Sequence, residues 1–225
     1  MPLQLSRIQA ICFDVDGTLS DTDDVLVEKL TRFLKPIHFL FPKNRPGRIA
    51  RRIVMASEAP ANFLIGIPDL LGLDYLLFSL IDWVARNSSR KPGKFLIIPG
   101  VKDMLAECSK RYPLAVVSAR DARTTHLFLE QFDLLQYFKC VASAQTCRHT
   151  KPFPDPLLWV ARELSVPPQS CLMVGDTTVD MRTGRAAGAQ NAAVLCGFGE
   201  REELHRSGAD VILASTADLL EVIVE

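Results

Sequence analysis

Short apolar runs, each closed by a polar or glycine position, recur along this chain, and their order predicts an α/β fold. Ile8, Ala10, Ile11, Cys12 and Phe13 form the first, Leu114 to Val117 the second, and Cys140 to Ala142 the third. Cys171 to Val174, Asn191 to Leu195 and Val211 to Leu213 follow. The longer runs do not alternate apolar with polar, as expected of strands buried on both faces of a parallel sheet. Between them apolar residues recur at helical spacing: Val101, Leu105 and Cys108, then Leu127, Phe128, Leu129, Phe132 and Leu135. Asp155 and Pro156 predict an N-cap and first turn for a helix through Leu164. Gly188 is placed to end a helix beginning near Thr178, and Ser215 with Asp218 predicts a capping box for the last helix. Strand and helix thus alternate from Pro99 onward, which predicts a doubly wound, Rossmann-like parallel sheet.

Residues from about Asp21 to Gly93 break this alternation. They carry helical patterns around Val25 to Leu34 and Arg48 to Met55, and a third through Leu73, Leu76, Leu77, Leu80, Trp83 and Val84. The exit, Asn87 to Gly93, is polar and rich in breakers, as a linker should be. The expected organisation is an α/β core from residues 1–20 and 94–225 with a helical unit, residues 21–93, inserted into it.

Composition narrows the function classes. A chain of 225 residues, 48% of them hydrophobic, can bury a full core. Its 26 basic and 26 acidic residues leave no net field to draw it onto nucleic acid or an anionic membrane. The six cysteines lie at 12, 108, 140, 147, 171 and 196 without metal-ligand spacing, and read as reduced core thiols. The chain opens on no signal-peptide pattern and has no apolar run of the roughly 20 residues that span a bilayer. A cytoplasmic protein is expected.

The polar positions closing the strands carry the chemistry. Ligands of open α/β sheets gather at the carboxyl ends of strands, and side chains two apart on extended backbone point the same way. Asp14 and Asp16, after the first strand, can therefore converge on one ligand, although an Asp-Gly turn closing a strand would look alike in isolation. Ser118 closes the second strand, with Ala119 and Arg120 beside it. Lys151 lies in the proline-rich loop Lys151-Pro152-Phe153-Pro154-Asp155-Pro156, just before a helix. Asp176 and Asp180 follow the strand that ends at Gly175. Each has a plain alternative: Ser118 as a strand-end cap, Lys151 as a surface lysine, Asp180 as a first-turn carboxylate favoured by the helix dipole, and Thr177 and Thr178 as helix caps. Asp14, Asp176 and Asp180 are the oxygen ligands that Mg²⁺ prefers.

Taken together, Asp14 to Thr18, Ser118, Lys151 and Asp176 to Asp180 resemble the four motifs of the haloacid dehalogenase superfamily of phosphoryl-transfer enzymes, in order and in interval. The resemblance implies that Asp14 attacks phosphorus to give an aspartyl-phosphate. It implies that Asp16 is the general acid and base, and that its backbone carbonyl joins Asp14, Asp176 and Asp180 around Mg²⁺. Ser118, Ala119, Arg120 and Lys151 would bind the phosphoryl group. An insertion between the first two motifs is, in that family, a cap over the active site. A carboxylic acid at Asp16 suits phosphatases and phosphomutases rather than dehalogenases. The Lys-Pro-x-Pro-Asp-Pro form is most similar to the phosphoglycolate phosphatase branch, from which Arg120 departs, as relatives carry a smaller or amide-bearing residue there.

The expected activity is Mg²⁺-dependent hydrolysis of a small phosphate ester by a monomer or homodimer. The alternatives are a phosphomutase of the beta-phosphoglucomutase type and a catalytically idle binding protein on the same fold. Arg120 has two readings, a substrate contact or a partner for an acid at the helix start. Arg45, Arg48 and Arg52 can share one helix face, either solvated or reading an anionic substrate tail. His38, His126, His149 and His205 are scattered and carry no assigned role.

Overall fold

All six apolar runs become strands in the structure, a computed structural model that describes residues 3–21 and 95–223. They are β1 (Ala10–Phe13), β2 (Leu114–Val117), β3 (Phe138–Ala142), β4 (Cys171–Gly175), β5 (Gln190–Val194) and β6 (Val211–Leu213). Every neighbouring pair is parallel, in the order β3-β2-β1-β4-β5-β6. The order grows outward from β1 in one direction and from β4 in the other. The switch point therefore lies between β1 and β4, where crossovers diverge and leave a crevice at the strands' carboxyl ends.

Helices α1 (Val101–Cys108), α2 (Ala122–Gln131), α3 (Asp155–Glu163), α4 (Thr178–Ala187), α5 (Arg201–Ser207) and α6 (Leu219–Ile223) cover the two faces. The strand period of two sorts the core between them. Ile11, Phe13, Leu114, Val116, Leu172 and Val174 pack on one side with Met104 and Leu105 of α1, Phe128 of α2 and Leu219 of α6. Ala10, Cys12, Ala115, Val117, Cys171 and Met173 face the other way, against Leu157, Val160 and Ala161 of α3. All cysteines are free, and Cys12, Cys108 and Cys171 are buried while the other three are half-buried. Burial pushes the Cys108 thiol up to about 12 and the Cys140 thiol up to about 11, as expected of unreactive core thiols.

Several boundaries differ from the sequence reading. Asp155 is the first residue of α3 rather than its N-cap, which is Pro154. Its carboxylate faces His149 Nδ1 at 3.0 Å instead of the helix backbone. The Ser215–Asp218 capping box forms, but around a 3₁₀ turn that leads into α6. Leu135 lies beyond α2, in a separate 3₁₀ turn. Helix α5 had no apolar stripe to announce it; Glu200 and Glu203 box its start and Gly208 ends it. Gly188 ends α4 as expected.

The end of the first described segment meets the start of the second. Asp21 N donates to Leu96 O at 2.9 Å and Ile98 N to Leu19 O at 3.0 Å, and Ser20 bridges Ile97 in antiparallel register. Residues 19–21 and 96–98 are thus held side by side. The helical unit expected over residues 21–93, with Arg45, Arg48, Arg52 and His38, lies outside the described residues apart from Asp21.

Candidate active site

Asp14 directly continues β1, and its N–H donates to Val174 O of β4 at 2.9 Å, so it stands at the switch point. The chain then turns: Thr18, Leu19 and Ser20 all donate their N–H groups to Val15 O. Gly17, at φ 71°, makes that turn possible, and a Cβ there would overlap the Asp176 carboxylate. The strand end and the carboxylate at the end of β4 are thus packed together by the absence of a side chain.

Asp14, Asp176 and Asp180 are all buried, with one carboxylate oxygen from each lying within 4.8 Å of the others. Asp176 is oriented by three elements: its oxygens accept from Phe198 N at 2.8 Å and from Thr18 Oγ1 at 3.3 Å, and the backbone at Gly197 closes over it. Asp180 is oriented by its own helix. Thr177 and Asp180 form a capping box at the start of α4, in which Asp180 Oδ2 accepts from Thr177 N at 3.0 Å and Thr177 Oγ1 at 2.6 Å. Thr177, not Thr178, is the cap. Lys151 enters from the loop before α3 and places Nζ 2.7 Å from Oδ1 of Asp14 and of Asp180.

Burial decides the electrostatics. Desolvation pushes the Asp14 carboxyl up to about 7; Asp180 and Asp16 add to the rise and Lys151 opposes it. Burial alone would neutralise Lys151, but the Asp14 and Asp180 carboxylates outweigh it and hold the ammonium charged, above its ordinary range. Among the described residues, Lys151 pairs with Asp14 and Asp180, and Arg120 pairs with Asp16. Three buried carboxylates whose oxygens converge, all hard donors, fit a divalent cation such as Mg²⁺.

The phosphate-facing candidates lie at the same edge. Ser118 closes β2, its N–H donating to Ala142 O at 2.9 Å and its Oγ accepting from Arg120 N at 3.1 Å. Ala119 is half-buried between them. Arg120 turns back over the site: Nε donates to Asp16 Oδ2 at 3.0 Å, and Nη2 pairs with Asp16 Oδ1.

The profile of the haloacid dehalogenase-like hydrolases matches residues 11–194, most of the chain. The chain belongs to this family. Among curated haloacid dehalogenase relatives, it is 27% identical over 218 residues to the pyrophosphatase PpaX of Anoxybacillus flavithermus, covering 96% of this chain and 97% of that protein. It is 35% identical over 132 residues to the phosphoglycolate phosphatase of Escherichia coli, an alignment covering 58% of this chain and 52% of the relative. A solved haloacid dehalogenase-like hydrolase from Streptococcus pneumoniae shares the fold, with TM-score 0.72 at 22% identity over 96% of this chain and 99% of that one.

Of the residues singled out in sequence, the structure joins Asp14, Lys151, Asp176 and Asp180 in one contact network and Asp16 with Arg120 in another. Three supporting roles escaped the sequence reading. Thr18 and the Gly197-Phe198 backbone fix Asp176, and Phe95 with Phe128 flank the Arg120 guanidinium. The glycines at 197 and 199, just past the fifth strand, were the available signal for a loop closing on the sheet edge. Nothing in the sequence linked Phe95 to Arg120.

Proposed function

We propose that this protein is a Mg²⁺-dependent phosphatase that hydrolyses a small phosphate ester through a phosphorylated Asp14. The observation that carries the reading is the placement of Asp14: a buried carboxylate at the sheet's switch point, 2.7 Å from a buried ammonium and grouped with two further carboxylates. A phosphomonoester dianion approaches an anionic nucleophile only where positive charge offsets the repulsion. Lys151 supplies part of that charge. Asp14, Asp176 and Asp180, with the backbone carbonyl of Asp16, would hold Mg²⁺, which when bound neutralises phosphoryl and carboxylate charge.

In this mechanism an Asp14 oxygen bonds to phosphorus as the ester oxygen departs, and Asp16 gives that oxygen a proton. Asp16 then takes a proton from water as the water oxygen bonds to phosphorus and the bond to Asp14 breaks. Ser118 Oγ and the Ala119 backbone N–H, at the end of β2, would donate to non-bridging oxygens. Lys151 holds the phosphoryl group and keeps Asp14 in line. The names of the Anoxybacillus and Escherichia relatives support a phosphorylated small molecule as substrate, with phosphoglycolate and pyrophosphate as the first compounds to assay. No helix among the described residues is long and apolar enough to cross a membrane. Six free cysteines suit a reducing compartment, so we place the activity in the cytoplasm.

The test is a turnover screen over a panel of phosphometabolites with Mg²⁺, run beside Asp14→Asn. The reading expects phosphate release by the parent and none by the variant, with a cooperative thermal melt retained in Mg²⁺-free buffer. Near-parental turnover by Asp14→Asn would remove Asp14 as nucleophile.

A further inference from the structure

The guanidinium of Arg120 grips both oxygens of Asp16, through Nε at 3.0 Å and through Nη2. A planar two-point contact fixes the carboxylate's plane as well as its position, which a lysine cannot do. The grip is itself anchored. Arg120 N donates to Ser118 Oγ at 3.1 Å, and Arg120 O accepts from Ala144 N at 2.9 Å. The guanidinium carbon lies 5.3 Å from the Phe95 ring centroid and 5.9 Å from that of Phe128. The two rings meet edge to face at 5.9 Å, and Phe95 O accepts from Gln131 Nε2 at 3.1 Å. The third nitrogen, Nη1, is buried without a hydrogen-bond partner among the described residues. A buried unpaired donor destabilises a fold, and a residue serving packing alone would do as well without it. The geometry is that of a bracket built onto Asp16.

We propose that Arg120 is a positioning residue for Asp16, setting where the proton is delivered to the leaving oxygen and collected from water. The inference rests on the phosphatase reading above. It departs from the expectation that Arg120 binds the phosphoryl group. Two of its three nitrogens point at a carboxylate, and the Asp14 side of the site is served by Lys151. Proton transfer depends on hydrogen-bond reach of the reacting oxygen, so loosening Asp16 penalises poor leaving groups, which need the proton, more than good ones.

Two substitutions test this. Arg120→Met keeps volume without charge, and Arg120→Lys keeps charge without the fork. Each is assayed with Mg²⁺ on an alkyl ester, beta-glycerophosphate, and on an aryl ester, para-nitrophenyl phosphate. With formation of phosphorylated Asp14 limiting turnover, both variants should lose at least about 10-fold more kcat on the alkyl than on the aryl ester, a part of the roughly 100-fold or more that general acid-base help supplies, while KM shifts alike and little for both. In an Asp16→Asn background, Arg120→Met should cause no further fall in kcat, because the arginine acts through that carboxylate. Equal losses on both esters, carried by KM and persisting in the Asp16→Asn background, would overturn the inference and make Arg120 a phosphate ligand. So would parental kinetics on both esters. Arg120→Lys carries the comparison if Arg120→Met fails to fold. A loss with Asp16→Asn but none with either Arg120 variant sinks this inference alone; absence of turnover by the parent on both esters sinks it together with the phosphatase reading.

Discussion

Lys151 Nζ lies 2.7 Å from Oδ1 of Asp14, with both side chains buried. An ammonium so enclosed is held charged by its carboxylate neighbours, and in return it offsets the burial that drives Asp14 toward protonation. Removing it should therefore do two things. Lys151→Met should reduce turnover by about 100-fold or more, the scale of losing one preorganised charge from a transition-state site. In chelator at a pH of about 8 it should also lower stability by about 3 kcal/mol, the low end for breaking a buried pair. The stability loss should shrink at a pH of about 6, where Asp14 is protonated and needs no partner. Thermal melts at both values check this, and equal losses at the two would show that Lys151 stabilises the fold through Asp180 and packing rather than through Asp14.

The core was legible because its signals are local. A short unbroken apolar run such as Leu114 to Val117, lying between two helical patterns, fits a strand buried on both faces, and the polar residue that ends it then falls at the sheet edge. Parallel order therefore brought Asp14, Ser118 and Asp176 together before any geometry was known. What stayed hidden are contacts between residues far apart in sequence that no pattern couples. Arg120 with Asp16, Phe198 N with Asp176 and Phe95 with Arg120 depend on loop paths, which hydrophobic periodicity does not encode. Asp155 failed as an N-cap for a related reason: His149 competes for its carboxylate.

The Asp14 carboxyl, pushed up to about 7 by burial, ties metal binding to pH. An unfolded aspartate titrates near about 4. Between those values the folded apo protein holds the extra proton, so its stability falls as pH rises through that window and levels off above it. Mg²⁺ needs the ionised carboxylate and must displace that proton. The gain in melting temperature on adding Mg²⁺ should accordingly widen from a pH of about 5 to about 8. Asp14→Asn should flatten this dependence. A Mg²⁺ gain independent of pH in the parent protein would detach Asp14 from the metal.

Asp176 and Asp180 should separate when each is truncated. Both oxygens of Asp180 are engaged, Oδ1 with Lys151 at 2.7 Å and Oδ2 with Thr177 N and Oγ1, so it serves the helix start and the ammonium. Asp180→Ala should lower the melting temperature even in chelator, since a lost cap alone costs about 1 kcal/mol. Asp176→Ala should chiefly raise the Mg²⁺ concentration needed for half-maximal turnover. Chelator should abolish parental activity, and Ca²⁺, with its larger and looser shell, should inhibit the Mg²⁺-loaded enzyme. The reverse order of Mg²⁺ requirement would exchange the two aspartates' roles.

Gly197 offers a test of the site that touches no ionisable group. A Cβ at that position would overlap the Asp176 carboxylate, whose Oδ2 is held by the neighbouring Phe198 N–H at 2.8 Å. The carboxylate cannot swing away freely, because Gly17 closes on it from the other side and Thr18 Oγ1 donates to its other oxygen at 3.3 Å. Gly197→Ala must therefore displace either the loop or Asp176. Displacing a supporting contact of a metal ligand commonly weakens metal affinity by about 10 to 100-fold. We expect the Mg²⁺ concentration for half-maximal turnover to rise by that factor, with kcat at saturating Mg²⁺ falling less. Stability in chelator, read by melting, should fall as well, by about 1 to 3 kcal/mol, the usual cost of overpacking. An unchanged Mg²⁺ requirement would mean that the loop yields instead of the carboxylate, and that Asp176 keeps its place without the backbone that now surrounds it.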